Sequence, residues 1–330
     1  MTARTLSVAL AALLGAQAGL AVAEPTLDQR IAAARETVKS NPLCGTRQLG
    51  AYYWEIGDRN GALVSGSRTP RQAVPVAADT VMSVASASKW LYAAYTIEQV
   101  GDVGSNRSYL TLTSGYSNFR TSDCPTTGTV ADCKPGKRSR SEANDHVFHY
   151  DGGHMQRLAI KSGLGPLDNA TLGAEIRSAL GAGIELEYVQ PSLAGGVSTS
   201  AAQYARFLRR LLANADNPLQ LGGLLGKHAV CTSPSDTCNA SRLIAVPEAW
   251  HYSLGHWVED DPKVGDHAFS SVGALGFYLW IDSTKTWYGI VARRATSAAG
   301  QEGVKSMDCG RLIRQAWVTG VQVTGTTPTP

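Results

Sequence analysis

The sequence predicts an α+β fold (an α/β sandwich): an antiparallel sheet flanked by N- and C-terminal helices, with a mostly helical domain inserted into it. Three observations predict it. A helix-forming stretch and a hairpin pattern stand near the start, helical periodicity dominates the middle, and three strand-like segments followed by a last helix close the chain. The expected division is 24–85 with 245–324 for the sheet, 86–244 for the helical part and 325–330 for a flexible tail.

Residues 26–40 (TLDQRIAAARETVKS) have helix-forming composition. Residues 49–67 read as two strands, LGAYYWEIG and ALVSGS, joined around Asp58-Arg59-Asn60-Gly61, which is a hairpin signal. From Ser86 an apolar face recurs at Trp90, Ala93, Ala94, Ile97 and Val100 before Gly101, the spacing of a helix packed on a core. Residues 117–147 are polar and rich in Gly, Pro, Ser and Thr, and read as a lid or surface loop. Their basic cluster, Lys134, Lys137, Arg138 and Arg140, lacks interleaved aromatics and reads as a solvated face. Ser198 to Leu212 looks like a capped helix with Ala201, Tyr204, Ala205, Leu208 and Leu211 on one side. Residues 252–259, 276–282 and 286–293 read as strands, and Gly303 to Val318 as the final helix.

The 330 residues are 43% hydrophobic and 17% charged, and 30 Lys+Arg against 27 Asp+Glu leave a formal charge of only +3. That excludes a disordered polymer, and no nucleic-acid partner is expected. Arg4, the apolar run Leu6 to Ala16 and the small-x-small site Ala21-Val22-Ala23 form a signal-peptide pattern over 1–23. The run is broken by Gly15, Gln17 and Gly19 and falls short of the roughly 20 apolar residues that a span needs, so no stable membrane insertion is expected. Export to a periplasm or beyond is the expectation. None of the six cysteines forms a C-x-x-C pair. Cys124 with Cys133 and Cys231 with Cys238 are near neighbours in turn-rich loops, which leaves Cys44 to pair with Cys309.

The signatures G-x-S-x-G, H-E-x-x-H, the phosphate-binding G-x-x-x-x-G-K-[ST] and the dinucleotide glycine pattern are all missing. His149 with His154 and His251 with His256 are five apart without a third ligand in register, so neither a metal nor a cofactor is expected. The informative segment is Ser86-Ala87-Ser88-Lys89. A serine three residues before a lysine places both side chains on one face, one helical turn apart. A serine hydroxyl needs a neighbouring base to become a nucleophile, and a lysine can serve if burial lowers its pKa from the free value of about 10.4. A helix N-terminus adds free N–H groups that favour a developing oxyanion.

The surrounding DTVMSVASASKWLYAAYTIEQVGD resembles the active-site segment of the serine β-lactamase and penicillin-binding-protein superfamily, and is most similar to class C β-lactamases and related esterases. Further motifs follow in order. Leu112-Thr113-Ser114-Gly115 is similar to the family's L-T-H-T-S-G loop, and Phe148-His149-Tyr150 to the F-x-Y that opens its second motif. Ala194 to Thr199 with Ala205-Arg206-Phe207 is similar to A-G-G-x-x-S-T…A-R-F, and Tyr252 to Trp257 to Y-G-L-G-W. Ser271-Val272-Gly273-Ala274-Leu275-Gly276 sits where the family carries K-T-G or H-x-G. The resemblance implies a β-lactamase/transpeptidase-like fold. It implies Ser86 as the acylated nucleophile, Lys89 as its proton acceptor and Tyr150 as the relay to the leaving group, with Tyr188 as the rival tyrosine. The backbone N–H groups of Ser86 and Ala274 would hold the oxyanion, Ala274 lying on a sheet strand beside the nucleophile.

Two departures bear on the substrate-binding positions. Gly152 replaces the second motif's usual Asn, and Ser271, two residues before Gly273, replaces the cation of the third. Loss of that cation favours neutral esters or small amides over penicillins. The expected function is therefore an exported serine hydrolase acting on a small ester or amide. Two alternatives stand beside it: a true β-lactamase or D,D-peptidase in which Arg293 or Arg294 supplies the missing charge, and a non-catalytic cell-wall or binding module that kept the fold. The sequence leaves the oligomeric state open.

Overall fold

A computed structural model describes residues 23–101, 103–119, 123–133, 140–235, 237–241, 246, 248–296 and 301–328. Nearly all of the expected signal peptide, and Lys134, Lys137 and Arg138, lie outside them.

Thr26 opens helix α1 (Leu27–Ser40) through a reciprocal cap: its hydroxyl accepts the Gln29 N–H at 3.3 Å, and Gln29 Oε1 accepts the Thr26 N–H at 2.8 Å. After the short α2 (Thr46–Leu49), strands β1 (Tyr52–Gly57) and β2 (Ala62–Arg68) form the expected hairpin, whose turn is held by Asp58 accepting the Asn60 and Gly61 N–H groups. Strand β3 (Met82–Ser83) leads into α3 (Ser88–Val100), which ends at Gly101 with φ +65°. The short α4 (Arg107–Leu110) comes next, and the described parts of 117–147 carry only single turns of 3₁₀ helix. Then follow α5 (Gly153–Lys161), α6 (Asn169–Leu180), β4 (Glu187–Tyr188), β5 (Val197–Thr199), α7 (Ala201–Leu211) and α8 (Leu221–Leu224). The chain closes with β6 (Val230–Cys231), β7 (His251–Tyr252), β8 (Trp257–Glu259), β9 (Ala268–Gly273), β10 (Phe277–Ile281), β11 (Tyr288–Arg293) and α9 (Gln301–Thr319).

The main sheet runs β2-β1-β11-β10-β9-β8-β7-β6 and is antiparallel throughout, so the first hairpin is zipped onto the last strand as the fold class requires. A small sheet, β3-β5-β4, lies beside the start of α3. Three readings of the sequence change. Residues 252–259 are two strands, because Gly255 at φ +77° reverses the chain between them. The segment 268–273 (AFSSVG) is a fully buried strand in the middle of the sheet; its small, serine-containing composition gives no period-two signal. The two-residue strand β6, at the sheet edge, lies within 86–244, the part expected to be mostly helical.

Helix α9 packs on α1 and on β9 to β11. Arg30 of α1 donates to the Trp317 and Val318 carbonyls at the C-terminal end of α9, where a cation is favoured. Arg314 binds Glu259 and Asp266, and Arg311 binds Glu248 and Glu259, so these buried cations are paired. The three disulfides are Cys44–Cys309, Cys124–Cys133 and Cys231–Cys238, as expected. Gly325, in the expected tail, accepts a hydrogen bond from Asn41. No helix among the described residues is long and apolar enough to cross a membrane.

Two buried histidines are satisfied at both nitrogens. His256 stacks on Trp90, accepts the Gly226 N–H and donates to the Leu254 carbonyl; His154 accepts from Ser114 and donates to the His149 carbonyl. Burial pulls them down to about 4 and about 3 respectively, from an unfolded value near 6.5. On acidification the unfolded chain therefore binds these protons first, and stability falls with pH. Asp308, pushed up to about 6 by burial, acts in the opposite sense. We expect His256→Gln, which keeps an acceptor for Gly226, to flatten the acid limb by about one proton, roughly 1.4 kcal/mol per pH unit between about pH 6 and pH 4. Urea midpoints measured across that range check this; an unchanged slope refutes it.

Candidate active site

The site is built on a strained turn before α3. Ala85, which carries a β-carbon, sits at φ +45° in a single turn of 3₁₀ helix, Ala85–Ala87, so Ser86 precedes the α-helix proper by two residues. The turn is over-determined by its neighbours. The Ser88 hydroxyl donates to the Ala85 carbonyl at 2.7 Å and accepts the Val197 N–H at 3.1 Å, while the Val84 N–H donates to the Val197 carbonyl. Strand β5 thus holds the turn from behind. From the front, β9 presses on it: a β-carbon at Gly273 would stand 2.3 Å from the Val84 carbonyl oxygen, so only glycine fits there.

The sequence separation of Ser86 and Lys89 translates directly into contact. Lys89 Nζ donates to Ser86 Oγ at 3.0 Å and to the Ala194 carbonyl at 3.1 Å. Lys89 is 4% exposed, and its Nζ lies 4.7 Å from the centre of the Tyr150 ring. Arg30, Arg293, Arg311 and Arg314, the other buried cations among the described residues, each pair with a carboxylate; Lys89 has no such partner among them.

Ser86, Lys89, Tyr150, Gly152 and Ala274 line one cavity of about 390 Å³, together with Phe119 and Asp151. A larger cleft of about 550 Å³ lies beside α4, lined by Arg107, His146 and His228, away from this pair. Ser271 and Gly273 do not line the 390 Å³ cavity. Ser271 is buried within β9, and Gly273 touches the turn through its backbone. Ala274 is the first residue of the turn after β9 rather than part of a strand. Tyr150 stacks on Trp257 and presents its ring face, not its hydroxyl, to Lys89. Tyr188 is buried outside the cavity, with its hydroxyl unpartnered among the described residues and its pKa pushed up by burial.

The two arginines that might have replaced the third-motif cation are committed elsewhere. Arg293 is buried and binds Glu302, Ser306 and the Leu49 carbonyl; Arg294 is exposed and donates to the Val81 carbonyl. Neither lines the cavity. Sequence reasoning passed over Asp151, which lines the cavity, and whose carboxylate accepts the Gly153 N–H at 2.7 Å and the Phe119 N–H at 3.1 Å. Burial raises its pKa, and these hydrogen bonds oppose the rise. An aspartate just before a helix was the available signal.

Solved structures match this architecture. A β-lactamase from Mycobacterium bovis superposes with a TM-score of 0.51 at 15% identity, covering 83% of this chain and 97% of its own. The chain has the β-lactamase fold. EstCE1, a hydrolase with promiscuous acyltransferase activity, shares that fold at TM-score 0.56 and 11% identity, covering 86% of this chain and 98% of its own. The D-amino acid amidase from Ochrobactrum anthropi SV3 does so at TM-score 0.56 and 12% identity, with 86% and 98% covered. No family model and no curated sequence matches the chain.

Within the β-lactamase fold the Ser88 clamp is testable. Ser88→Ala leaves the buried Val197 N–H without its acceptor, and we expect a loss of about 1–3 kcal/mol in urea unfolding. A change below about 0.5 kcal/mol, the scale of an ordinary surface substitution, would show that the clamp does not hold the turn.

Proposed function

We propose that the protein is an exported serine hydrolase that cleaves neutral ester or small amide bonds through an acyl-enzyme on Ser86. The observation that carries this reading is a buried lysine, without a carboxylate partner among the described residues, 3.0 Å from a serine hydroxyl on the wall of a cavity. Ser86 Oγ bonds to the substrate carbonyl carbon as its proton passes to Lys89 Nζ. The oxyanion rests on the backbone N–H groups of Ser86 and Ala274. The proton then reaches the leaving alcohol or amine by way of the Tyr150 hydroxyl as the scissile bond breaks, a step that needs the ring to turn its hydroxyl toward Lys89. Water attacks the acyl-enzyme, returns its proton through Lys89 and releases the acid. A neutral substrate is supported by the absence of both candidate arginines from the cavity lining: Arg293 is held by Glu302, and Arg294 donates to the Val81 carbonyl.

A fluorophosphonate and a p-nitrophenyl ester test the chemistry together. We expect labelling that vanishes in Ser86→Ala and slows sharply in Lys89→Ala. Tyr150→Phe should lose on the order of 10² or more in turnover, in line with general acid–base contributions, with little change in Tyr188→Phe. Nitrocefin should survive millimolar exposure. Absence of any Ser86-dependent label would favour a binding module, and the reverse ranking of the tyrosines would reassign the relay.

Export is supported by the signal-like start of the sequence and the three disulfides. Expressed with its own leader, the protein should be recovered outside the cytoplasm with Glu24 as its first residue, as read by N-terminal sequencing. An unprocessed cytoplasmic product would contradict export.

A further inference from the structure

The wall of the cavity beside the nucleophile has an unusual construction. Asp151 accepts the Phe119 N–H with both carboxylate oxygens, at 3.1 and 3.2 Å, and the Gly153 N–H at 2.7 Å, which pins the loop at 117–119 to the start of α5. The pinned Phe119 ring fills the space that a side chain at position 152 would occupy. A β-carbon on Gly152 would stand 2.9 Å from Phe119 Cδ1 and 3.1 Å from Ala194 Cβ. Val189, at 52% exposure a large apolar residue left open to solvent, continues the same wall. The amide of the neighbouring Gln190 donates to the Cys124 carbonyl. A polar substituent on the acyl chain would lose water against the Phe119 ring and Val189, which offer it no hydrogen bond; a hydrocarbon gains from the same contact.

We propose that Phe119, Gly152 and Val189 form a subsite for the acyl half of the substrate, that it takes an unsubstituted hydrocarbon chain or ring rather than an acylamino group, and that Asp151 is its positioning residue. This inference rests on the hydrolase reading above. The subsite holds the carbon chain while the carbonyl lies at Ser86. Asp151 acts through Phe119: it fixes where the ring stands.

The test compares kcat/KM for p-nitrophenyl acetate, butyrate and N-acetylglycinate in the full-length processed protein, with Ser86→Ala as background. We expect the wild type to favour butyrate over acetate roughly tenfold, the value of two methylenes leaving water, and N-acetylglycinate to gain nothing over acetate. The butyrate-to-acetate ratio should collapse toward one in Phe119→Ala and Asp151→Ala, with most of the ratio restored in Asp151→Asn, whose amide oxygen still accepts an N–H. Val189→Ala, a surface change, should lower the ratio as well. Because the readout is a ratio, partial misfolding of a variant cancels. A flat wild-type ratio, a ratio unmoved by Phe119→Ala, or a tenfold preference for N-acetylglycinate overturns the subsite while leaving the hydrolase intact. No Ser86-dependent turnover of any ester removes the hydrolase reading and the subsite together.

Discussion

The position of one flexible side chain, that of Lys89, depends on a relay of hydrogen bonds that begins far from it. Gln156, fully buried on α5, donates to the Val130 and Pro191 carbonyls and accepts the Leu193 N–H, so it fixes the 191–193 segment in place. The Gly196 N–H closes a turn onto Ser192, which aims the Ala194 carbonyl inward. That carbonyl accepts from Lys89 Nζ, and Lys89 in turn reaches Ser86. A lysine stem has four rotatable bonds, and fixing it costs entropy. The carbonyl supplies a second anchor, so that the amine meets the serine without a carboxylate to hold it.

The same logic explains why the surroundings are so tightly specified. Ala85 at a positive φ is unfavourable in isolation, and it persists because β5, β9 and the Ser88 hydroxyl all fix it. Strain and a buried lysine without a carboxylate in contact among the described residues both lie within five residues, Ala85 to Lys89, whereas the buried arginines among the described residues are each paired with a carboxylate. A positive φ at a residue with a β-carbon and a buried lysine without a carboxylate contact coincide here on the wall of a cavity, which is where departures from local stability rules point to a site rather than a scaffold.

What the sequence disclosed follows from the range of the interaction involved. The helix over 26–40, the Asp58 turn and the Ser86–Lys89 spacing are set within a few residues and were legible. So was the pairing of Cys44 with Cys309, although only because the other four cysteines sit close together in two loops. The residue pattern missed strand β9, which only the resemblance anticipated beside Ala274, because the strand is not amphipathic: it is buried on both faces, and its place in the sheet is decided by β8 and β10. The fate of Arg293 depends on Glu302 in α9, and the task of Asp151 on Phe119, 32 residues away. No local pattern encodes partners at that distance.

The two departures at the second and third motifs are best understood as one change. On the proposed reading, a serine at position 271 offers an anionic substrate group no cation, and a glycine at position 152 offers a polar neutral one no side chain. With Phe119 held over Gly152 by Asp151, the part of the wall formed by Phe119 and Val189 offers the acyl half no hydrogen-bonding side chain, while Ser83, Gln190 and Ser192 line other parts of the same cavity. The half-buried Asp151 makes three hydrogen bonds at that point, and desolvating a carboxylate is costly unless the bonds it makes hold something in place. The aspartate holds an aromatic ring against a glycine, and this argues for a cavity reshaped for apolar acyl groups rather than one abandoned.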